Sequence, residues 1–194
     1  MRKSEELARR WMPGTRQGPG NRAAWEHPQD LVNLLLEMRG SFTVSLSNGL
    51  NEVLSDEPFD RMRDIAWMHD LYEDGKKEDG SKVTAEDLRV EGFGVRVTNG
   101  VSMLSQSENE EKVQYLAGLT SKLDEETAIV KCVDRICNLR EGKASFKDKR
   151  WARYINETQA YILPLLNLIR QPFKDWLKQH LLSAMAARPV VAGL

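Results

Sequence analysis

Residues 66–75, AWMHDLYEDG, hold the densest set of chemically able side chains in the sequence. His69 falls on an apolar stripe, seven residues after Met62 and four after Ile65, where a histidine is either a hydrogen-bonded core residue or a ligand. Asp70 follows it directly, and Glu73 and Asp74 lie one helical turn beyond the pair. Four titratable groups on about 1.3 turns repel one another unless a cation or a network of donors balances them. An adjacent imidazole and carboxylate offer the nitrogen and oxygen ligands that suit manganese, iron or zinc. Glu73 and Asp74 also read as a solvated helix end, although negative charge at a helix C-terminus is electrostatically unfavourable.

Two further segments carry candidates. In residues 129–140, IVKCVDRICNLR, the residues Ile129, Val130, Cys132, Val133, Ile136 and Cys137 make a wide apolar face with Asp134 at its border. Asn138 is one turn on from Asp134 and Lys131 nearly one turn back. Asp134 beside Arg135 reads as an ordinary ion pair or, together with Asn138, as a metal ligand next to a substrate-facing amide. Earlier in the chain, His27 precedes Pro28, and Pro is favoured at the opening of a helix. A single histidine there is either an incidental loop residue or a third ligand.

The elements that must position these groups are predicted to be helical. A short first helix leads into a loop over residues 12–21, which hold three Gly and two Pro. Pro28 opens a helix whose stripe is Leu31, Leu34, Leu35 and Met38, with Gly40 as its stop. Residues 40–57 read as an irregular insertion. The next helix runs from Pro58 through Ile65 and Leu71 to Asp74-Gly75, followed by the solvated loop GKKEDGSK. Thr84 and Asp87 form a capping box that opens a short helix closed by Gly92. Further helices are expected over 93–104, 108–119, 125–140, 149–169 and 172–187, with a loose tail over 186–194. Little strand signal remains, so the fold class is all-α.

A length of 194 residues fits one helical domain, expected over 1–170, with a C-terminal helix and tail over 171–194. Hydrophobic residues at 41% and charged residues at 29% describe an ordinary soluble globular chain. The net charge of −1 gives no broad attraction to nucleic acid or membranes, so an anionic ligand must be met by a local cluster of Arg and Lys. No run of about 18 apolar residues suggests a membrane span, and MRKSEELARRW lacks the apolar core of a secretory signal. Cys132 and Cys137 lie five positions apart, about 500° around a helix, so their side chains diverge and no disulfide is expected. Both read as small core residues of a reducing compartment, which makes the cytoplasm the expected location.

Together the motifs resemble the HD-domain metal-dependent phosphohydrolases, whose signature is the order His … His-Asp … Asp. The finer similarity is to the hydrolase domain of the RelA/SpoT alarmone enzymes and their small stand-alone relatives. The family's His-Asp-x-x-Glu-Asp appears as His69-Asp70-Leu71-Tyr72-Glu73-Asp74. Its Lys-x-x-Asp-Arg-x-x-Asn-x-Arg appears as Lys131 through Arg140 with every fixed position kept, and its early His-Pro as His27-Pro28. Glu157-Thr158 and Pro164-Leu165 resemble a late family helix, and residues 83–94 its linker, so the resemblance spans roughly residues 5–170. The family's lead before the His-Pro is reduced here to Gly14 and Arg16, more residues separate His27 from His69, and Glu141 stands in the region of a family Thr.

What the resemblance implies is a single HD-type helical bundle holding a divalent metal, manganese, on His27, His69, Asp70 and Asp134. Glu73 and Asp74 would orient or deprotonate water, and Arg16, Lys131, Arg135 and Asn138 would meet the substrate. The implied reaction is removal of the 3′-pyrophosphate from guanosine 3′,5′-bis(diphosphate), with a small-molecule nucleotide as partner and the oligomeric state left open. No nucleotide synthetase domain fits in the remaining chain, so the implied role is hydrolytic only. Two alternatives compete: an HD nucleotidase acting on 5′-mono- or triphosphates, and a non-catalytic nucleotide-binding regulatory module.

Overall fold

The longest helix organises the rest. In the computed structural model, which describes residues 1–16, 21–42 and 55–188, α8 (Glu125–Ser145) begins where the Asp124 carboxylate accepts the Thr127 amide. Such a cap satisfies one of the orphan donors of a first turn. Ala128, Ile129, Val130, Cys132, Val133, Ile136 and Leu139 bury α8 on more than one side, so it must be surrounded. Helices α2 (Glu26–Phe42), α3 (Asp56–Met68) and α10 (Phe173–Ala186) pack against it. Leu31, Leu35 and Met38 come from α2, Phe59, Met62 and Ile65 from α3, and Phe173, Leu177 and Leu181 from α10. Each such side chain contributes about 1.5–3 kcal/mol by leaving water. Residues 173–186 therefore belong to the same core as α8 and are not an appendage to it.

The fold is all-α, with no strand among the described residues. Helix α1 (Lys3–Trp11) lies on α3, fastened by Arg2 to Asp60 and Asp64 and by Ser4 to Asp64. The short α5 (Ala85–Val90) starts at the predicted capping box of Thr84 and Asp87 and stops at Gly92, whose φ of 87° favours a residue without Cβ. Helix α6 (Val95–Leu104) crosses α3 at Gly100, where a Cβ would meet the Ile65 side chain at 2.5 Å. Helix α7 (Lys112–Lys122) follows.

Several boundaries differ from the sequence expectation. Gly40 does not stop α2, which runs on to Phe42. The expected helix from Pro58 to Asp74 is two: α3 ends at Met68, and α4 (Leu71–Asp74) begins after a turn at His69-Asp70. There the His69 ring engages the Ala66 carbonyl, and Asp70 leaves the helix track with φ −95° and ψ 0°. The expected helix over 149–169 starts as α9 (Asp148–Glu157), widens to a π-helix over Thr158–Ile162 and tightens to 3₁₀ over Leu163–Leu168. Pro164 has no N–H to continue an α ladder, and the Thr158 hydroxyl donates to the Tyr154 carbonyl just before the change.

Cys132 and Cys137 are free and buried, as expected, and burial pushes both thiols up to about 12, so neither is a reactive thiolate. Most of the expected insertion (43–54), the loop tip 17–20 and the end of the expected tail (189–194) lie outside the described residues. Arg188 is not loose: its carbonyl accepts the Trp151 indole N–H at 2.9 Å and its guanidinium donates to the Phe146 carbonyl. No helix among the described residues is long and apolar enough to cross a membrane.

Candidate metal centre

Three elements converge beside α8. The first turn of α2 supplies His27, the turn between α3 and α4 supplies His69 and Asp70, and the middle of α8 supplies Asp134. One ligand atom each from His27, His69 and Asp70 lie within 4.8 Å of one another. Asp134 Oδ1 lies 3.1 Å from His27 Nε2 and 3.8 Å from His69 Nε2. Both rings are 3% exposed, and their centroids are 5.3 Å apart.

His69 shows how the group is built. Its Nδ1 faces the Ala66 carbonyl at 2.8 Å, which fixes the tautomer with the proton on Nδ1. Its Nε2 is buried, lies 3.1 Å from Asp70 Oδ1 and forms no hydrogen bond. A buried nitrogen without a partner costs about 1–3 kcal/mol, and here it points at two carboxylates and a second imidazole. Burial alone would lower the pKa of His69, but Asp70 and Asp134 outweigh burial and lift it to about 8. Burial likewise acts to raise both carboxyls, yet His69 and His27 draw Asp70 down, while Lys131, His27 and His69 draw Asp134 down. The centre thus holds two ionised carboxylates around a space that calls for positive charge. Two nitrogens and two oxygens fit a borderline divalent ion such as manganese, iron or zinc.

The centre opens onto a cavity of about 810 Å³. Glu73, Asp74, Asn138 and Arg16 line it, as expected of groups that meet substrate or water. Glu73 Oε1 accepts the Gln106 amide at 2.6 Å, so the end of α6 holds one of its oxygens. Burial raises its pKa, with Asp70 adding to the rise and the Gln106 amide opposing it. Burial and Asp70 raise Asp74 as well, against Arg16. The stem of the loop after α1 fixes Arg16, through Arg16 N to the Arg22 carbonyl and Ala24 N to the Gly14 carbonyl. Its guanidinium donates to Asn138 Oδ1 at 2.6 Å and lies 3.2 Å from Glu141 and 3.5 Å from Asp70.

Lys131 and Arg135 depart from the expectation that they meet substrate. Neither is among the residues that line the cavity. Lys131 turns inward, with Nζ donating to Asp134 Oδ2 at 3.2 Å and lying over the Tyr115 ring. Arg135 is 5% exposed, faces Glu157 at 3.5 Å and packs on the Tyr154 ring at 4.4 Å. The cavity takes its other cations from Lys76 and Arg150, which the sequence reading missed. Phe146, Arg150 and Tyr154, four apart, put an aromatic–cation wall on one helical face. That spacing was the signal available. Arg150 lies 4.0 Å over the Phe146 ring, and Phe146 meets Tyr154 edge-on at 4.9 Å. The chain matches no protein-family model and no curated protein.

Proposed function

We propose that the protein is a metal-dependent phosphohydrolase whose divalent ion is held by His27, His69, Asp70 and Asp134. The observation that carries this reading is the unpartnered His69 Nε2, buried and aimed at the other three groups. A bound divalent ion supplies Lewis acidity toward water and a phosphoryl oxygen. Glu73 stands one turn from His69 with one oxygen held by Gln106, and its raised pKa suits it to accept a proton from the attacking water. Asp74, beside it in the cavity, orients that water. Arg16 borders both Asp70 and Asn138, where it can meet a phosphoryl group near the centre. Phe146 and Tyr154 offer a flat apolar wall for a nucleobase.

The substrate reading follows the motif resemblance: a guanosine 3′,5′-bis(diphosphate), cut between the ribose 3′-oxygen and the first phosphorus. Water adds to that phosphorus, Glu73 takes its proton, and the ribose oxygen leaves and is protonated, giving intact pyrophosphate and a free 3′-hydroxyl. The test is to incubate the manganese-loaded protein with a panel of 3′- and 5′-phosphorylated nucleosides and to resolve the products by ion-exchange chromatography. Release of pyrophosphate from the 3′ arm is expected. Hydrolysis of 5′-mono- or triphosphates alone transfers the assignment to a general nucleotidase, and nucleotide binding without turnover to a regulatory module.

A further inference from the structure

Asp134, Asn138 and Glu141 are spaced by four and three residues, so they share one face of α8, and all three line the cavity. Glu141 stands about 10 Å along the helix from Asp134, a distance comparable with the length of a nucleoside. Its side chain is 14% exposed and lies 3.2 Å from Arg16 Nε. The same guanidinium already bridges Asn138 and Asp70. Glu141 thus neutralises the cation best placed to meet phosphate.

The charge balance of the cavity gives this contact its consequence. With Asp70 and Asp134 assigned to the ion, Glu73, Asp74 and Glu141 face Arg16, Lys76 and Arg150. The signs cancel, and only the ion remains to offset the substrate. Without the Glu141 charge, one cation would be free at the end of the cavity far from the ion.

We infer that Glu141 is a specificity-determining residue that makes the site select nucleotides whose charge is concentrated in the phosphoryl arm at the metal. It disfavours those with a second, polyphosphorylated arm. This rests on the phosphohydrolase reading above. Among 3′-diphosphorylated guanosines, those with fewer phosphates at the 5′ end are the better ligands. A phosphate near Glu141 meets like charge in a partly desolvated site, which costs about tenfold in binding per additional charge at an effective dielectric between protein and water.

The experiment compares guanosine 3′-diphosphates bearing either a 5′-monophosphate or a 5′-triphosphate, using the manganese-loaded protein and its Glu141→Gln variant. Kinetics give KM and kcat, and calorimetry in the Glu73→Gln background gives binding with turnover suppressed. Glutamine keeps an acceptor for Arg16, and Glu141→Asp serves as the charge-retaining control. The 5′-monophosphate form is expected to bind about tenfold more tightly or better, through KM rather than kcat. Glu141→Gln should bring the two within about threefold, whereas Glu141→Asp should keep the preference. A ratio unchanged by Glu141→Gln, or a wild-type preference for the triphosphate, overturns the inference. Absence of turnover with the binding order intact removes the hydrolase reading and leaves the charge filter standing. Turnover of both nucleotides with equal KM removes the filter alone, and binding of neither removes both.

Discussion

The inner and outer halves of the cavity are built on different principles. In the inner half, side chains from α2, the α3–α4 turn and α8 are nearly out of water, and helix packing fixes where each points. His27, Asp134, Lys131 and Asn138 all have partners there, and one atom, His69 Nε2, has none. The outer half is made by a loop stem, the end of α8 and the start of α9, where Arg16, Glu141, Lys76 and Arg150 stand in more water and offset one another's charge. The inner half holds an unmet demand for a cation at a rigid point. The outer half holds a balanced charge that a ligand must re-partition. Chemistry belongs to the first and discrimination to the second.

Removing a ligand should break the inner half outright. Asp134→Ala or His69→Ala should lower manganese occupancy to background by elemental analysis and abolish the rise in melting temperature on adding manganese. An ion retained at full occupancy would show that the four groups do not form one centre. Next in size, Glu73→Gln should lower turnover by about 10²–10⁴ while leaving metal content unchanged. If that variant stays fully active, Glu73 is only a tether for Gln106.

A third measurement asks whether proton and ion compete for the same place. In chelator-treated protein His69 has a folded pKa raised to about 8, above its ordinary value near 6.5. Its contribution to stability is therefore complete below about pH 6.5 and lost as pH rises through about 8, amounting to about 2 kcal/mol between pH 6 and 9. Denaturant titrations of the metal-free protein should show that decline. With manganese present the slope should reverse, because the ion displaces the proton, and a flat metal-free profile would remove His69 from the centre. The smallest effect belongs to the outer half. Arg150→Ala should raise KM about tenfold with kcat nearly constant, as loss of uniform binding does. Equal losses in kcat and kcat/KM would instead place Arg150 in the chemistry.

The two halves also differ in how legible they were. The His-Asp pair, the Glu-Asp pair one turn on and Asp134 at the edge of an apolar face could be read from spacing, because helical periodicity reports which residues share a face. Periodicity does not report depth. Lys131 lies three residues from Asp134, so their contact was readable, but only packing against Tyr115 shows that the ammonium points inward. Arg135 was lost to Glu157, a partner 22 positions away that no local pattern reveals. The break at His69-Asp70 escaped the hydrophobic pattern because Leu71 stays buried on either side of the reading. The continuation of α2 through Gly40 shows the reverse error: a glycine with open space around it costs a helix only about 1 kcal/mol, too little to stop it.

The clasp of Arg188 on Trp151 and Phe146 has a practical side. Phe146 and Arg150 form part of the cavity wall, and the residues flanking them are held by a point 42 positions further along the chain. A carboxypeptidase that nibbled past residue 188, or a purification handle fused tightly behind it, would be felt at the ligand's end of the molecule. Clipped preparations should therefore lose grip on nucleotide before they lose metal, and a protein batch is best qualified by intact mass before its affinities are compared.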